Sequence, residues 1–142
     1  MLGMKKYSQE YIDACRMRVD AGLRAYRRQV GNEPSKEFEV RFFNDQVLVL
    51  EYMFEHRLSG IEGRDGNPLN EIRALCNSLL LNNGELQVDK LPEWPISAVA
   101  NLTLPAEKSV LGLEAGDKVM LSEDDFIRLS DAFFAEIEKK YL

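Results

Sequence analysis

The chain has 142 residues, of which 45% are hydrophobic and 30% charged, a balance typical of one globular domain. Its net charge of −6 disfavours nucleic acid and anionic membranes as partners, because phosphate groups require a basic surface. No apolar run reaches the length of a membrane span, and none follows the N-terminus as in a signal peptide. Cys15 and Cys76 fall on apolar stripes of predicted helices, as buried thiols in a reducing compartment do. We therefore expect a single cytoplasmic helical domain over 1–142.

Two amphipathic helices are predicted in the first sixty residues. The first begins after Ser8, whose hydroxyl can accept a backbone N–H, and ends at Gly31. The second covers roughly 36–59 and is apolar around more of its circumference than one packed face requires. We expect it to be the central helix of the core and to carry more apolar surface than a small bundle easily hides.

The second half of the chain predicts two more helices and one hairpin. Asn67 followed by Pro68 starts the third helix, and Ser122 with Asp125 forms a capping box that starts the fourth. Residues 110–121 resemble a β-hairpin with Gly116-Asp117 at the turn.

The segment between the third helix and this hairpin is poorer in helix signals. Residues 86–88 could form a short strand. Prolines break residues 91–105 into extended chain, in which Trp94 is predicted to be a lid over the core. The expected fold is mainly α: four amphipathic helices in a bundle-like core, with a short β-hairpin between the third and fourth helices.

Few residues offer the chemistry of a metal or cofactor site. One histidine and two non-adjacent cysteines exclude the common zinc patterns. Glu62, Asp65 and Asn67 do not follow the order of an EF-hand loop. The glycine-rich loop 60–68 lacks the P-loop lysine and follows a helix rather than a strand. We expect no metal and no cofactor.

A polar cluster is predicted at the bend between the second and third helices. Arg57 falls inside the apolar sector of its helix and needs a partner, because an unpaired buried charge costs several kcal/mol. A short loop makes these helices an antiparallel hairpin, so Glu71 in the first turn of the third helix is the predicted partner. The cluster is either a structural staple or a pocket for a small ligand. The candidate ligand-binding residues are His56, Arg57, Asp65, Asn67, Glu71 and Gln46.

His56 is also the natural candidate for a general base. However, no nucleophile is identifiable by its setting, and no second acid–base residue stands out beside it. A histidine at the edge of an apolar face more often satisfies a backbone carbonyl. We therefore assign no catalytic residue, and an enzyme is not the favoured interpretation.

Two resemblances concern parts of the chain. Residues 111–121, LGLEAGDKVML, resemble the LGLxxGDxV turn of the transition-state-regulator family of DNA-binding swapped hairpins. The chain lacks that family's second hairpin and its DNA-contacting basic residues, so no function is carried over. Residues 42–73 and 121–138 are similar to a group of uncharacterised small bacterial proteins with no known activity. This second resemblance implies a bacterial cytoplasmic origin.

Three function classes follow from these patterns. The leading hypothesis is a non-catalytic binding or interaction protein that forms a homo-oligomer, for example a dimer. The contact would use the apolar surface of the second helix that its own bundle leaves uncovered. The alternative is a small-molecule-binding or enzymatic helical bundle with its polar site near His56, Arg57 and Glu71. A nucleic-acid regulator is disfavoured by the acidity of the chain.

Overall fold

The computed structural model describes residues 3–33, 35–87, 105 and 107–142. Within these residues the chain is mainly helical, with four long helices and a single short turn of helix between the second and third of them. The helices are α1 Gln9–Val30, α2 Lys36–Met53, α3 Ser59–Glu62, α4 Pro68–Leu81 and α5 Glu123–Tyr141.

Side-chain caps fix where the long helices begin. The Ser8 hydroxyl accepts a hydrogen bond from a first-turn backbone N–H of α1. The Asn67 side chain accepts from two such groups at the start of α4, where Pro68 lacks an N–H. Ser122 and Asp125 form a reciprocal capping box at the start of α5. All three predicted helix starts are confirmed.

Aromatic contacts show how the long helices pack. The Phe43 and Phe126 rings lie 5.5 Å apart, and those of Phe54 and Phe133 lie 5.7 Å apart, so α2 and α5 run parallel. Tyr11, near the start of α1, contacts Phe54, near the end of α2, which makes α1 antiparallel to this pair. These contacts give α1, α2 and α5 a bundle-like arrangement around a shared aromatic core.

The predicted β-hairpin over 110–121 is wrong. No strand or sheet forms in the described ranges, and pairing outside helices is confined there to isolated bridges. A turn does form, because the Asp117 N–H donates to the Glu114 carbonyl oxygen at 3.0 Å. Beyond that turn, however, Lys118 bridges to Glu85 rather than to the first arm of a hairpin.

The first arm is bound to α4 instead. The backbone N–H groups of Val110 and Leu111 donate to the Glu71 carboxylate at 2.7 and 3.1 Å, and the Ser109 hydroxyl donates to it at 2.9 Å. A carboxylate accepts backbone N–H bonds more strongly than a neutral carbonyl does. Once the arm is held in this way, it cannot pair with residues 118–121.

The helix buried most completely is α4 rather than α2. Residues 69–78 of α4 are all buried, whereas α2 buries only Phe43, Val47 and Leu50. The prediction that the second helix is central is therefore corrected. The reason is that α4 is also covered by the 109–111 segment, while one side of α2 faces solvent.

Several other predictions can be compared with the part of the chain that the structure describes. Cys15 and Cys76 are free and buried, as expected. The Leu86 N–H donates to the Asp117 carbonyl oxygen, but the predicted strand 86–88 extends beyond the described residues. Trp94, the predicted lid, also lies outside the described residues. Among the helices of the structure, none combines the length and apolarity needed to cross a membrane.

Candidate functional site

Arg57 lies inside the protein, as predicted, but not on the second helix, because that helix ends at Met53 rather than near residue 59 and Arg57 follows it in a segment that bridges to Met4. Its side chain has no exposed surface. The predicted partner is wrong, however, because Arg57 pairs with Glu62 at 2.9 Å and Glu51 at 3.1 Å, and not with Glu71. Glu62 becomes available because residues 59–62 form the extra helical turn α3 instead of an open loop.

Arg73 completes a closed set of four charges with Arg57, Glu51 and Glu62, which we call the charge cluster. Arg73 lies 2.6 Å from Glu62 and 3.3 Å from Glu51, so each arginine contacts both carboxylates. The formal charges cancel, which removes most of the penalty for burying ions. Asn70 adds a further hydrogen bond to Glu62, at 2.9 Å.

The sequence contained a signal for Arg73 that we missed. Arg73 follows the buried Leu69 by four positions and precedes the buried Cys76 by three, so it falls on the apolar stripe of α4. This is the same criterion that identified Arg57. The periodicity of the second helix puts Glu51 among its polar residues and therefore predicts a solvated side chain, and only the approach of α4 turns that side into an interface.

The charges of the cluster stabilise one another. Burial alone would lower the pKa of Arg57, but the Glu51 and Glu62 carboxylates raise it above its ordinary value. Burial alone would raise the pKa of Glu62, but Arg57 and Arg73 hold it below its ordinary range. Glu51 is held by charge attraction more than by hydrogen bonding, since the nearby Arg57 Nη1 donates to the Phe54 carbonyl oxygen instead.

The N-terminal segment covers the charge cluster. The Met4 N–H donates to the His56 carbonyl oxygen at 2.7 Å, and the Leu58 N–H donates to the Met4 carbonyl oxygen at 3.1 Å. On the inner side, the Phe133 ring lies 5.7 Å from the Arg57 guanidinium carbon. Backbone and aromatic ring therefore enclose Arg57 on two sides.

The structure does not gather all the predicted site residues in one place. Asn67 donates to the Glu62 carbonyl oxygen and to the Asp65 carboxylate, both at 2.8 Å, so these two predicted residues lie beside the charge cluster. Glu71 faces the 109–111 segment. Gln46 lies against α1, because a Cβ atom added to Gly22 of α1 would be 3.5 Å from the Gln46 Oε1 atom.

His56 points away from Arg57 toward solvent. Its ring lies 3.1 Å from the Glu55 carboxylate, and both side chains are exposed. Together they form one end of a groove of about 840 Å³, which we call the tyrosine groove. Its lining residues are Met4, Tyr7, Ser8, Tyr11, Tyr52, Met53, Glu55 and His56.

The tyrosine groove lies between the N-terminal part of the chain and the end of α2. The Tyr7 and Tyr11 rings stack with centroids 5.8 Å apart, and the Tyr11 hydroxyl donates to the Met53 carbonyl oxygen at 2.5 Å. Tyr52 stands at the other wall and is 70% exposed. Burial raises the pKa of Tyr7 to about 12, and no described residue forms a hydrogen bond with its hydroxyl.

A second, partly exposed surface runs along α2 on the side away from Phe43, Val47 and Leu50, and its first two aromatic rings, Phe38 and Phe42, contact Tyr26 of α1. At about 100° per residue, six side chains of this helix project within one sector of roughly 100°. Three large apolar members are well exposed: Phe38 at 46%, Val49 at 43% and Tyr52 at 70%. We call this surface the outer face of α2, and its members are Phe38, Arg41, Phe42, Asp45, Val49 and Tyr52.

Neither a metal centre nor a known relative accounts for these features. In the part of the chain that the structure describes, no group of three or more histidine, cysteine, aspartate or glutamate residues could hold a metal ion. Comparisons with models of protein families, with curated proteins and with solved structures found no match. The similarity to small bacterial proteins therefore stays a prediction, and function is argued from the sites alone.

Proposed function

We propose that this chain is a non-catalytic interaction protein that self-associates through the outer face of α2. The observation that carries this proposal is an apolar surface on the side of α2 that points away from its own core. The bundle covers this face only in part: the Phe38 and Phe42 rings contact Tyr26 of α1, whereas Val49 and Tyr52 stay 43% and 70% exposed. Exposed apolar side chains that line up along one helix are a common feature of protein interfaces. We infer that a second copy of the chain supplies the remaining cover.

The spacing on this face favours a helix as the partner element. Positions 38, 42, 45, 49 and 52 alternate steps of four and three residues, the repeat by which helices pack side by side. Four of those five positions are apolar. Tyrosine and phenylalanine are also enriched in protein interfaces relative to other surfaces.

The charges on the outer face favour a second copy of this chain over an unrelated partner. Arg41 and Asp45 lie within the face, 3.1 Å apart along the helix, and both are exposed. In an antiparallel pair of α2 helices, related by a two-fold axis at the level of residue 43, Arg41 of each copy lies opposite Asp45 of the other and Val49 lies near Phe38, while Tyr52 lies beyond the start of the partner helix. A surface that complements itself in this way is what a two-fold dimer requires.

The cysteines support the non-catalytic part of the proposal. Burial raises the pKa of both thiols, Cys15 and Cys76, so neither is an activated nucleophile. Both are free, which supports a reducing, cytoplasmic location. A small-molecule site around Arg57 and Glu71 has less support, since Arg57 is enclosed and three donors occupy the Glu71 carboxylate.

The test is the mass of the particle in solution. Light scattering coupled to gel filtration, over a wide range of protein concentration, is expected to show a dimer for the unmodified chain and a monomer for Val49→Asp. A buried, unpaired carboxylate costs several kcal/mol at an interface, whereas at the exposed position in the monomer it is tolerated. Met17→Asp is the matched control, because Met17 is exposed on α1, outside the outer face.

The outcomes separate the proposal from a general effect of charge. Val49→Asp should shift the mass while Met17→Asp leaves it unchanged, and both should keep the helical circular dichroism of the parent. A parent chain that is monomeric at every concentration would contradict self-association. Equal effects of the two variants would show that the outer face of α2 is not the contact.

A further inference from the structure

We infer that the tyrosine groove binds a small organic cation of the ammonium class. This site shares Tyr52 with the outer face of α2, but the inference does not depend on the dimer contact proposed above. The groove volume, about 840 Å³, lies within the range of small-molecule sites. The chemistry of its walls then decides which class of molecule fits.

Three tyrosines and two methionines form most of the lining. The faces of aromatic rings carry partial negative charge and attract cations, and ammonium groups are recognised by such surfaces. Tyr11 and Tyr52 are 42% and 70% exposed, so ring surface is accessible from the groove. The thioethers of Met4 and Met53 are polarisable and pack well against methyl groups.

A carboxylate adds formal charge of the same sign. Glu55 lines the groove and is partly exposed, with His56 as its neighbour at 3.1 Å. The Glu55 carboxylate and the ring faces both favour a cation over an anion in the groove. Lys5 and Lys6 are exposed but do not line the groove.

The walls of the groove are held before any ligand arrives. The Tyr11 hydroxyl bond to the Met53 carbonyl ties α1 to α2, and the Tyr7 N–H donates to the Tyr141 carbonyl oxygen at 2.6 Å. The Tyr7 ring also lies edge-on to Phe54, with centroids 4.9 Å apart. Such preorganisation reduces the entropy lost on binding and favours a defined ligand orientation.

The experiment compares choline with 3,3-dimethyl-1-butanol, its uncharged isostere. Methionine methyl NMR reports the groove through Met4 and Met53, while Met17 on α1 serves as an internal control outside it. We expect choline to shift the two groove signals saturably and to bind at least about twofold more tightly than the neutral isostere, since that is the lower end of a cation–π contribution at an exposed site. Sodium chloride at the same ionic strength corrects for screening.

Variants of two exposed residues identify the contributing groups. Glu55→Gln keeps the shape but removes the charge, and it should weaken choline binding while leaving the neutral isostere unchanged. Tyr52→Phe keeps the aromatic ring, whereas Tyr52→Leu removes it, so only the leucine variant should lose the preference for choline. Because Tyr52 also belongs to the outer face of α2, the particle mass of each variant is measured alongside.

Each result bears directly on the inference. Equal affinity for choline and its isostere would show that charge is not recognised, and no saturable shift with either would show that the groove binds no such molecule. Unchanged choline binding in Glu55→Gln or in Tyr52→Leu would overturn the assigned role of that residue. Loss of dimerisation with choline binding intact would affect only the proposed function, because Val49→Asp changes the outer face alone and Glu55→Gln changes the groove alone.

Discussion

Glu62→Gln is the most informative change in the charge cluster. This substitution keeps the size of the side chain and its ability to accept from Asn70, but it removes one negative charge. Arg57 and Arg73 then share the single carboxylate of Glu51 inside the protein. The variant therefore creates an uncompensated buried positive charge.

The cost can be estimated from the geometry. Glu62 is 2.9 Å from Arg57 and 2.6 Å from Arg73, and each such pair is attractive by about 4 kcal/mol at an effective dielectric constant near 20. Neutralising Glu62 recovers several kcal/mol of its own desolvation penalty. The net loss in the free energy of unfolding is about 3–5 kcal/mol, in line with other broken buried pairs. For a domain of this size that lowers the midpoint of thermal unfolding by about 6–20 °C.

Urea unfolding followed by far-ultraviolet circular dichroism measures this loss. Glu138→Gln is the matched control, because the same substitution breaks a 2.8 Å pair with Arg16 that is partly exposed, where a cost below about 1 kcal/mol is expected. The double variant Glu62→Gln with Arg73→Gln restores neutrality, so it should cost less than the sum of the two single changes. If Glu62→Gln were as stable as the parent chain, or if the single costs simply added, the mutual stabilisation of the four charges would be refuted.

Three further predictions use the same unfolding assay. Folding lowers the pKa of Glu62, so in acid the unfolded chain binds more protons than the folded chain. The free energy of unfolding should therefore be highest above the usual carboxyl pKa of about 4.3 and should fall as the pH drops below that value. In Glu62→Gln that dependence should be weaker, and an identical acid profile would argue against the assignment. Glu71→Ala should cost about 2–3 kcal/mol and speed hydrogen exchange at the Val110 amide, which would otherwise stay protected. Gly3→Ala should lower the free energy of unfolding, because the added Cβ would lie 2.8 Å from the Cα of Leu58. Gly60→Ala is the control and should be neutral, since nothing lies within 4 Å of its Cβ, and equal effects of the two variants would contradict the packing at Gly3.

The features that depend on nearby residues could be predicted from the sequence. Ser8, Asn67 and Ser122 cap helices because each lies a few residues from the N–H groups it accepts. Burial of Arg57 is also predicted correctly, but from a helix that continues to about residue 59, whereas α2 ends at Met53 and Arg57 lies in the segment after it that bridges to Met4.

The partners chosen across the fold could not be predicted in this way. Arg57 pairs with Glu62 because residues 59–62 form a helical turn, which Gly60 within it and Gly63 after it made resemble a loop in the sequence. Glu71 is then free for the 109–111 segment, and its three hydrogen bonds outcompete the pairing of a hairpin. Both outcomes depend on how α2, α4 and the segment before α5 meet in space, which periodicity does not specify.

The most direct test of self-association is a charge exchange within the outer face of α2. Arg41→Asp and Asp45→Arg each place like charges opposite one another in a two-fold dimer, whereas a mixed dimer of the two variants pairs opposite charges at both contacts. In sedimentation velocity we expect each variant alone to be monomeric and their equimolar mixture to be dimeric. A mixture that stays monomeric, or single variants that dimerise like the parent chain, would contradict the proposed interface.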